Sequence, residues 1–178
     1  LSVVLIVGLL TQSCSEDFLD LKPISSSTTG NSFNTENDIE SALIAVYNSL
    51  HNEFYTWDNV LMGDVRSDNC YAGPPDDVDI WAYDQLTITS NNSRIFNNWS
   101  DYYIGNGKAN TVLDKIEDVA GISESRKSEI IGEAKCLIAF FYFDLVKQYG
   151  GVPIVEHTGS ADPEKTQLPR NSVEEVYQ

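Results

Sequence analysis

Between Asp64 and Tyr83 the sequence mixes charged and amide side chains with aromatic rings: Asp64, Arg66, Asp68, Asn69, Tyr71, Trp81 and Tyr83. Aromatic faces cover apolar C–H surface, and side chains with paired donors and acceptors answer hydroxyl groups. The mixture suits a neutral, polyhydroxylated ligand held in a largely preformed site. The same stretch carries Gly73-Pro74-Pro75 and Asp76-Asp77-Val78-Asp79, which predict an irregular loop from Ser67 to Thr89. Binding residues concentrate on loops held by a rigid scaffold. In the competing reading, Trp81 and Tyr83 only pack this loop onto helices, while the acidic residues from Asp64 to Asp68 cap turns.

Other chemistries find less support. Asp76, Asp77 and Asp79 offer hard oxygens to calcium, but the glycine and distal glutamate of a calcium loop are missing, so a solvated acidic loop is expected. His51 and His157 stand alone, and no CxxC or HExxH spacing exists to hold zinc. With 27 acidic residues, a pair of carboxylates resembling a glycosidase centre can always be found, so finding one is no evidence. No GxSxG, phosphate-binding loop or Cys–His signature is present. A non-catalytic chain without metal or cofactor is expected. Lys and Arg total 11, leaving a net charge of −16, which repels nucleic-acid backbones and disfavours docking on anionic lipid.

The elements that must position these residues read as helices. Thr35 with Asp38 makes a capping-box start. Ile39, Ala42, Leu43, Val46, Tyr47, Leu50 and Phe54 then fall on one helical face. Trp57 to Arg66 predicts a second, less regular helix. Another runs from about Phe96 to Val119 through Trp99, Tyr103, Ala109, Val112, Leu113 and Ile116, with a bend expected near Gly105 and Gly107. Here Trp99, Tyr102 and Tyr103 read as core. A long helix starts at Ser123 as N-cap and ends at Gly150-Gly151. It is apolar almost all round from Leu137 to Val146, so a central position is expected, with Cys136 a buried thiol and Asp144 bonded to a neighbour. Cys70 and Cys136 are expected to remain free. An extended Val152 to Val155 follows, and Ser172 with Glu175 opens a last helix that stops at Gln178.

The N-terminus carries a separate signal. Leu1 to Ser13 is uncharged, and Val3 to Leu10 is too short for the ~20 residues of a membrane span but matches the apolar core of a secretory signal. Leu10-Thr11-Gln12-Ser13-Cys14 resembles a bacterial lipobox, with cleavage before Cys14 and acylation of that residue. More than one acyl chain gives stable anchoring. The polar stretch from Ser25 to Ser32 suits a tether. The organisation expected is an incomplete signal segment at 1–13, a lipidated tether at 14–34 and a helical domain at 35–178. Since Met62 is the only methionine, residue 1 is Leu and the last helix is short, the chain is expected to be the N-terminal part of a larger protein.

The order of these features resembles the SusD/RagB family of lipid-anchored outer-membrane nutrient-binding proteins. The likeness is carried by Cys14 before Phe18-Leu19-Asp20-Leu21-Lys22-Pro23, by Phe33 with Asn37-Asp38-Ile39, and by Trp99 with Tyr102-Tyr103 and Asn110. The most specific stretch runs from Glu133-Ala134-Lys135 through Phe140 to Val146 and on to Tyr149-Gly150-Gly151-Val152-Pro153-Ile154. Arg170 to Tyr177 completes it, and Cys136-Leu137-Ile138 departs from it where the family often has an arginine. The resemblance covers roughly the first third of a typical member. It implies a mainly α fold of tetratricopeptide-like helix pairs and non-catalytic capture of glycan. It also implies a SusC-like TonB-dependent transporter as partner and, from Glu16-Asp17, exposure on the cell surface. A peptide-binding RagB-like member and a lipid-anchored glycoside hydrolase or other carbohydrate-active enzyme are the alternatives.

Overall fold

The computed structural model describes residues 33–73, 76–157 and 167–178. Cys14, the signal-like segment and the 14–32 portion of the tether lie outside the described residues. The compact unit that carries the candidate site spans Asn34–Gln178. It is mainly α-helical, with no strand among the described residues. No described helix is long and apolar enough to cross a membrane.

Helix α1, Glu36–Tyr47, begins as its sequence dictates: the Thr35 side chain accepts from the Asp38 amide while Asp38 accepts from the Thr35 amide at 2.9 Å. Each bond satisfies a donor that the first helical turn leaves orphaned. Ile39, Leu43 and Val46 form its buried stripe. A 3-10 turn, Asn48–His51, leads into a helical stretch with two wide π-type turns, Phe54–Asp58 and Leu61–Val65. The less regular second helix is therefore real, and its irregularity is π-type winding. Next comes a short helix, α2, Val78–Asp84. It corrects the expectation of an unbroken loop from 67 to 89. Asp77 is its N-cap, accepting from the amides of Asp79 and Ile80.

Helix α3, Ser93–Lys115, runs without interruption through Gly105 and Gly107 and ends in a 3-10 turn, Ile116–Asp118. Gly105 marks a close approach to α4, Glu124–Tyr149, where the bend was expected: a Cβ there would lie 2.8 Å from the buried Phe141 ring. The two long helices pack against each other, and α1 packs on both. Tyr102, Ala109 and Val112 of α3 meet Ile130, Ala134, Leu137, Phe141 and Leu145 of α4 in the core. Burying each large apolar side chain stabilises the fold by roughly 1.5–3 kcal/mol before entropy is counted. Tyr102 is fully buried, as read from the sequence, whereas Trp99 and Tyr103 are half-buried and pack on each other at 5.0 Å.

Helix α4 is central on one side only. Phe140 and Phe143 are exposed, and so is Cys136, which corrects the expectation of a buried thiol. These residues lie on the helix side away from Leu137, Phe141 and Leu145, which α1 and α3 cover. Asp144 is buried with partners: Tyr55 Oη donates to it at 3.0 Å and Lys147 pairs with it at 2.5 Å. The helix ends at Gly150, whose φ of +70° favours glycine. Gly151 is needed for space, since a Cβ would meet Asn171 O at 2.3 Å.

The segment from Val152 to Val155 crosses the α3/α4 pair without joining a sheet. Its backbone groups are satisfied by side chains and one loop amide. Tyr103 Oη donates to Pro153 O at 2.7 Å, and Asn110 Nδ2 donates to Val155 O at 2.7 Å. Val155 N donates to Tyr142 Oη, Ile154 N to Asn171 Oδ1, and Asn171 N to Val152 O. A last single turn, α5, Val173–Val176, opens with the Ser172–Glu175 capping box.

Candidate ligand-binding site

Arg94, at the start of α3, positions the Asp64–Tyr83 region. Its guanidinium pairs with Glu53, with buried Asp58 at 3.0 Å and with Asp77 at 3.5 Å. Burial works against its charge, but the three carboxylates outweigh that and hold the group more basic than usual. Asp58 is pushed up by burial, with Arg94 pulling it back. A second tie comes from Asp79. Its carboxylate accepts from the Ser93 hydroxyl and from the Ser93 amide at 3.0 Å, while Asn92 Nδ2 donates to Asp79 O. Those two bonds from Ser93, the hydroxyl first, hold the Asp79 carboxyl below the usual carboxylate range. Asp77 and Asp79 are thus caps and ties, which corrects the reading of a merely solvated acidic loop. Among the described residues, no group of three or more His, Cys, Asp or Glu is placed to hold a metal ion.

Helix α2 carries two of the seven candidate residues, Trp81 and Tyr83, on different faces. Trp81 and Tyr83 are two positions apart, and such positions point in different directions on a helix. Trp81 is half-buried and meets exposed Tyr71 edge-to-face, with ring centroids 5.7 Å apart. This pair presents aromatic surface to solvent. Tyr83 is only 1% exposed and forms a small core with Leu61 and Val65, edged by Met62, Ile80, Ile88 and Ile95. The expectation that Tyr83 offers an open stacking face is corrected: on the inner face of α2, the ring is covered. Asp64, Asp68 and Asn69 are exposed around the turn after the second π-type segment, where Ser67 donates to Asp64 O.

Tyr83 and Arg66 meet in a cavity of about 320 Å³ that the sequence did not reveal. Its apolar walls are Phe54, Met62, Tyr83, Ile88 and Ile95, and its polar ones are Asn59, Arg66, Lys147 and Gln148. Burial first, then the nearby Asp58 charge, pushes the Tyr83 phenol up to about 12, with Arg94 and Arg66 pulling it down. The Tyr83 hydroxyl is buried with no hydrogen-bond partner. Gln148 donates its Nε2 to Tyr102 Oη, and its Oε1 is likewise buried without a partner. Gln148 sits two residues before Gly150, and nothing in the sequence singled it out. The volume lies at the lower end of the range for ligand pockets.

A larger groove of about 620 Å³, mostly apolar, has Ile138, Tyr142, Phe143 and Tyr177 in its lining. None of the seven candidate residues reaches it.

Comparison with known proteins fits this architecture. A SusD-like family model, described as starch-binding associating with outer membrane, matches residues 17–178. The chain belongs to the SusD-like family. A SusD-like protein, P38, of Formosa agariphila is 29% identical over 177 residues, 98% of this chain and 33% of that protein. A SusD-like protein of Bacteroides fragilis superposes with a TM-score of 0.69 at 27% identity, over 83% of this chain and 28% of the other. A laminarin-binding SusD-like protein gives a TM-score of 0.70 at 25% identity, over 82% and 32% respectively. The SusD-like chain spans about a third of the length of the curated relatives it matches.

Proposed function

We propose that this chain is the N-terminal helical part of a cell-surface lipoprotein that captures oligosaccharide without chemical conversion and delivers it to a SusC-like TonB-dependent outer-membrane transporter. Family membership across residues 17–178 carries the reading. One protein with a similar helical frame is a laminarin-binding SusD-like protein, which supports the reading. The Tyr71–Trp81 pair supplies the aromatic surface such capture needs, and the ties through Arg94 and Asp79 hold it in place. Lipidation at Cys14 supplies the anchor, with Glu16-Asp17 as the export signal.

Titration of the full chain against a polysaccharide panel that includes starch and laminarin tests the reading. Trp81→Ala and Tyr71→Ala are expected to weaken the strongest interaction by up to about tenfold each, the loss of one stacking face. Titration curves indistinguishable from wild type would remove the pair from the site. Release of product from any member of the panel would turn the reading toward a hydrolase, and selective binding of peptides toward a RagB-like role. Loss of palmitate labelling in Cys14→Ser is the expected result for the anchor.

A further inference from the structure

The lining of the 320 Å³ cavity narrows the ligand beyond sugars in general. In a chain with 27 acidic and 11 basic residues, this cavity is lined by two cations and no carboxylate. One cation is already engaged: Lys147 pairs with Asp144 at 2.5 Å and lies 4.4 Å above the Phe143 ring centroid. Arg66 is exposed at the cavity and has no carboxylate partner among the described residues. A guanidinium presents a planar fork of donors matched to carboxylate and sulfate oxygens.

The rest of the lining sets a second condition. Asn59 and Gln148 add amide groups to the wall. Phe54, Met62, Ile88 and Ile95 add apolar walls suited to C–H faces. A ligand that meets all these demands carries an anionic group, hydroxyls and apolar faces on one small ring.

We propose that this cavity receives an acidic sugar of an oligosaccharide, with Arg66 facing its carboxylate or sulfate and the apolar walls against its C–H faces. The proposal rests on the glycan-binding reading above and names the charge of the sugar that the site selects. The net charge of −16 does not oppose it as it opposes nucleic acid. A long polyanion meets the whole surface, whereas one acidic ring meets mainly the charges within a Debye length of ~8 Å at physiological salt.

The test uses the full chain on an array of oligosaccharides in matched pairs, each uronate-bearing member beside its carboxyl-reduced counterpart and each sulfated member beside its desulfated one. Wild type is expected to bind an acidic member about tenfold or more tighter than its neutral partner, the increment of one hydrogen bond to a charged group. The preferred pair type tells carboxylate from sulfate. Arg66→Gln, at an exposed position, is expected to erase the preference between acidic and neutral members. Binding of neutral members with no acidic preference overturns this inference and spares the glycan reading. Binding of no glycan overturns both. A preference that survives Arg66→Gln removes the cavity as its seat.

Discussion

The α3/α4 pair and the α2 region are stabilised by opposite means. Between the long helices the contact is mainly apolar, with a Gln148–Tyr102 hydrogen bond across it, and close enough at Gly105 that a single Cβ would strike Phe141. Around α2 the apolar core is only Leu61, Val65 and Tyr83 with a few half-buried neighbours. There Arg94 gathers Glu53, Asp58 and Asp77, and Asp79 joins the starts of α2 and α3. Burial of apolar area tolerates error in angle, whereas an ion cluster fails when one member is removed. The candidate site therefore sits on the part of the molecule whose order depends on the fewest side chains.

The largest expected effect tests the apolar half. Phe141→Ala leaves a cavity beside Gly105 and should cost about 4 kcal/mol in urea denaturation, with helical circular dichroism lost in the same transition. Arg94→Met tests the ionic half. It strands buried Asp58 and should cost about 3 kcal/mol, with proteolytic cleavage appearing first between Ser67 and Thr89 while α3 and α4 persist. Adding Asp58→Asn should restore much of the loss. If Arg94→Met instead unfolds the whole chain in one step, the two regions are one cooperative unit and the contrast dissolves.

The smallest effect concerns pH. Asp79 has its pKa lowered by the bonds from Ser93, so the folded state favours the carboxylate. The stability it supplies is fully present above its unfolded value and disappears as pH falls through the lowered folded value. The urea midpoints of wild type and Asp79→Asn should differ most near neutrality and converge in acid. Asp58 has the opposite sign: burial raises it, so protonation on acidification favours the folded state at that position. A gap that widens in acid would show that Asp79 is not the tie described.

What the sequence made legible follows the same division. Helices α1 and α4 were readable because their caps and apolar stripes are local patterns: Thr35 with Asp38, Ser123 with Arg126 N, Ile39 with Leu43 and Val46. Helix α2 was missed because Gly73-Pro74-Pro75 and the aspartates read as breakers. Asp77 caps the helix, and its ionic partner Arg94 lies far along the chain. The cavity was hidden for a similar reason, since its walls come from the π-type turns, α2, the residues around Ile88, the start of α3 and the end of α4. Arg66 and Tyr83 were named for their chemistry, but no spacing rule joins them to Gln148. Trp81 and Tyr83 looked alike in sequence, and only helical winding distinguishes the outward ring from the inward one.

The strap from Val152 to Val155 has a consequence for amide exchange. Segments outside helix and sheet commonly exchange their hydrogens quickly, yet Ile154 N–H and Val155 N–H are both given to side chains, Asn171 Oδ1 and Tyr142 Oη. Their protection should therefore track the intactness of the α3/α4 pair rather than the behaviour of a loop. Tyr142→Phe removes the acceptor of one amide without changing the ring. It would speed exchange at Val155 while leaving Ile154 slow, separating a strap held bond by bond from one held as a block.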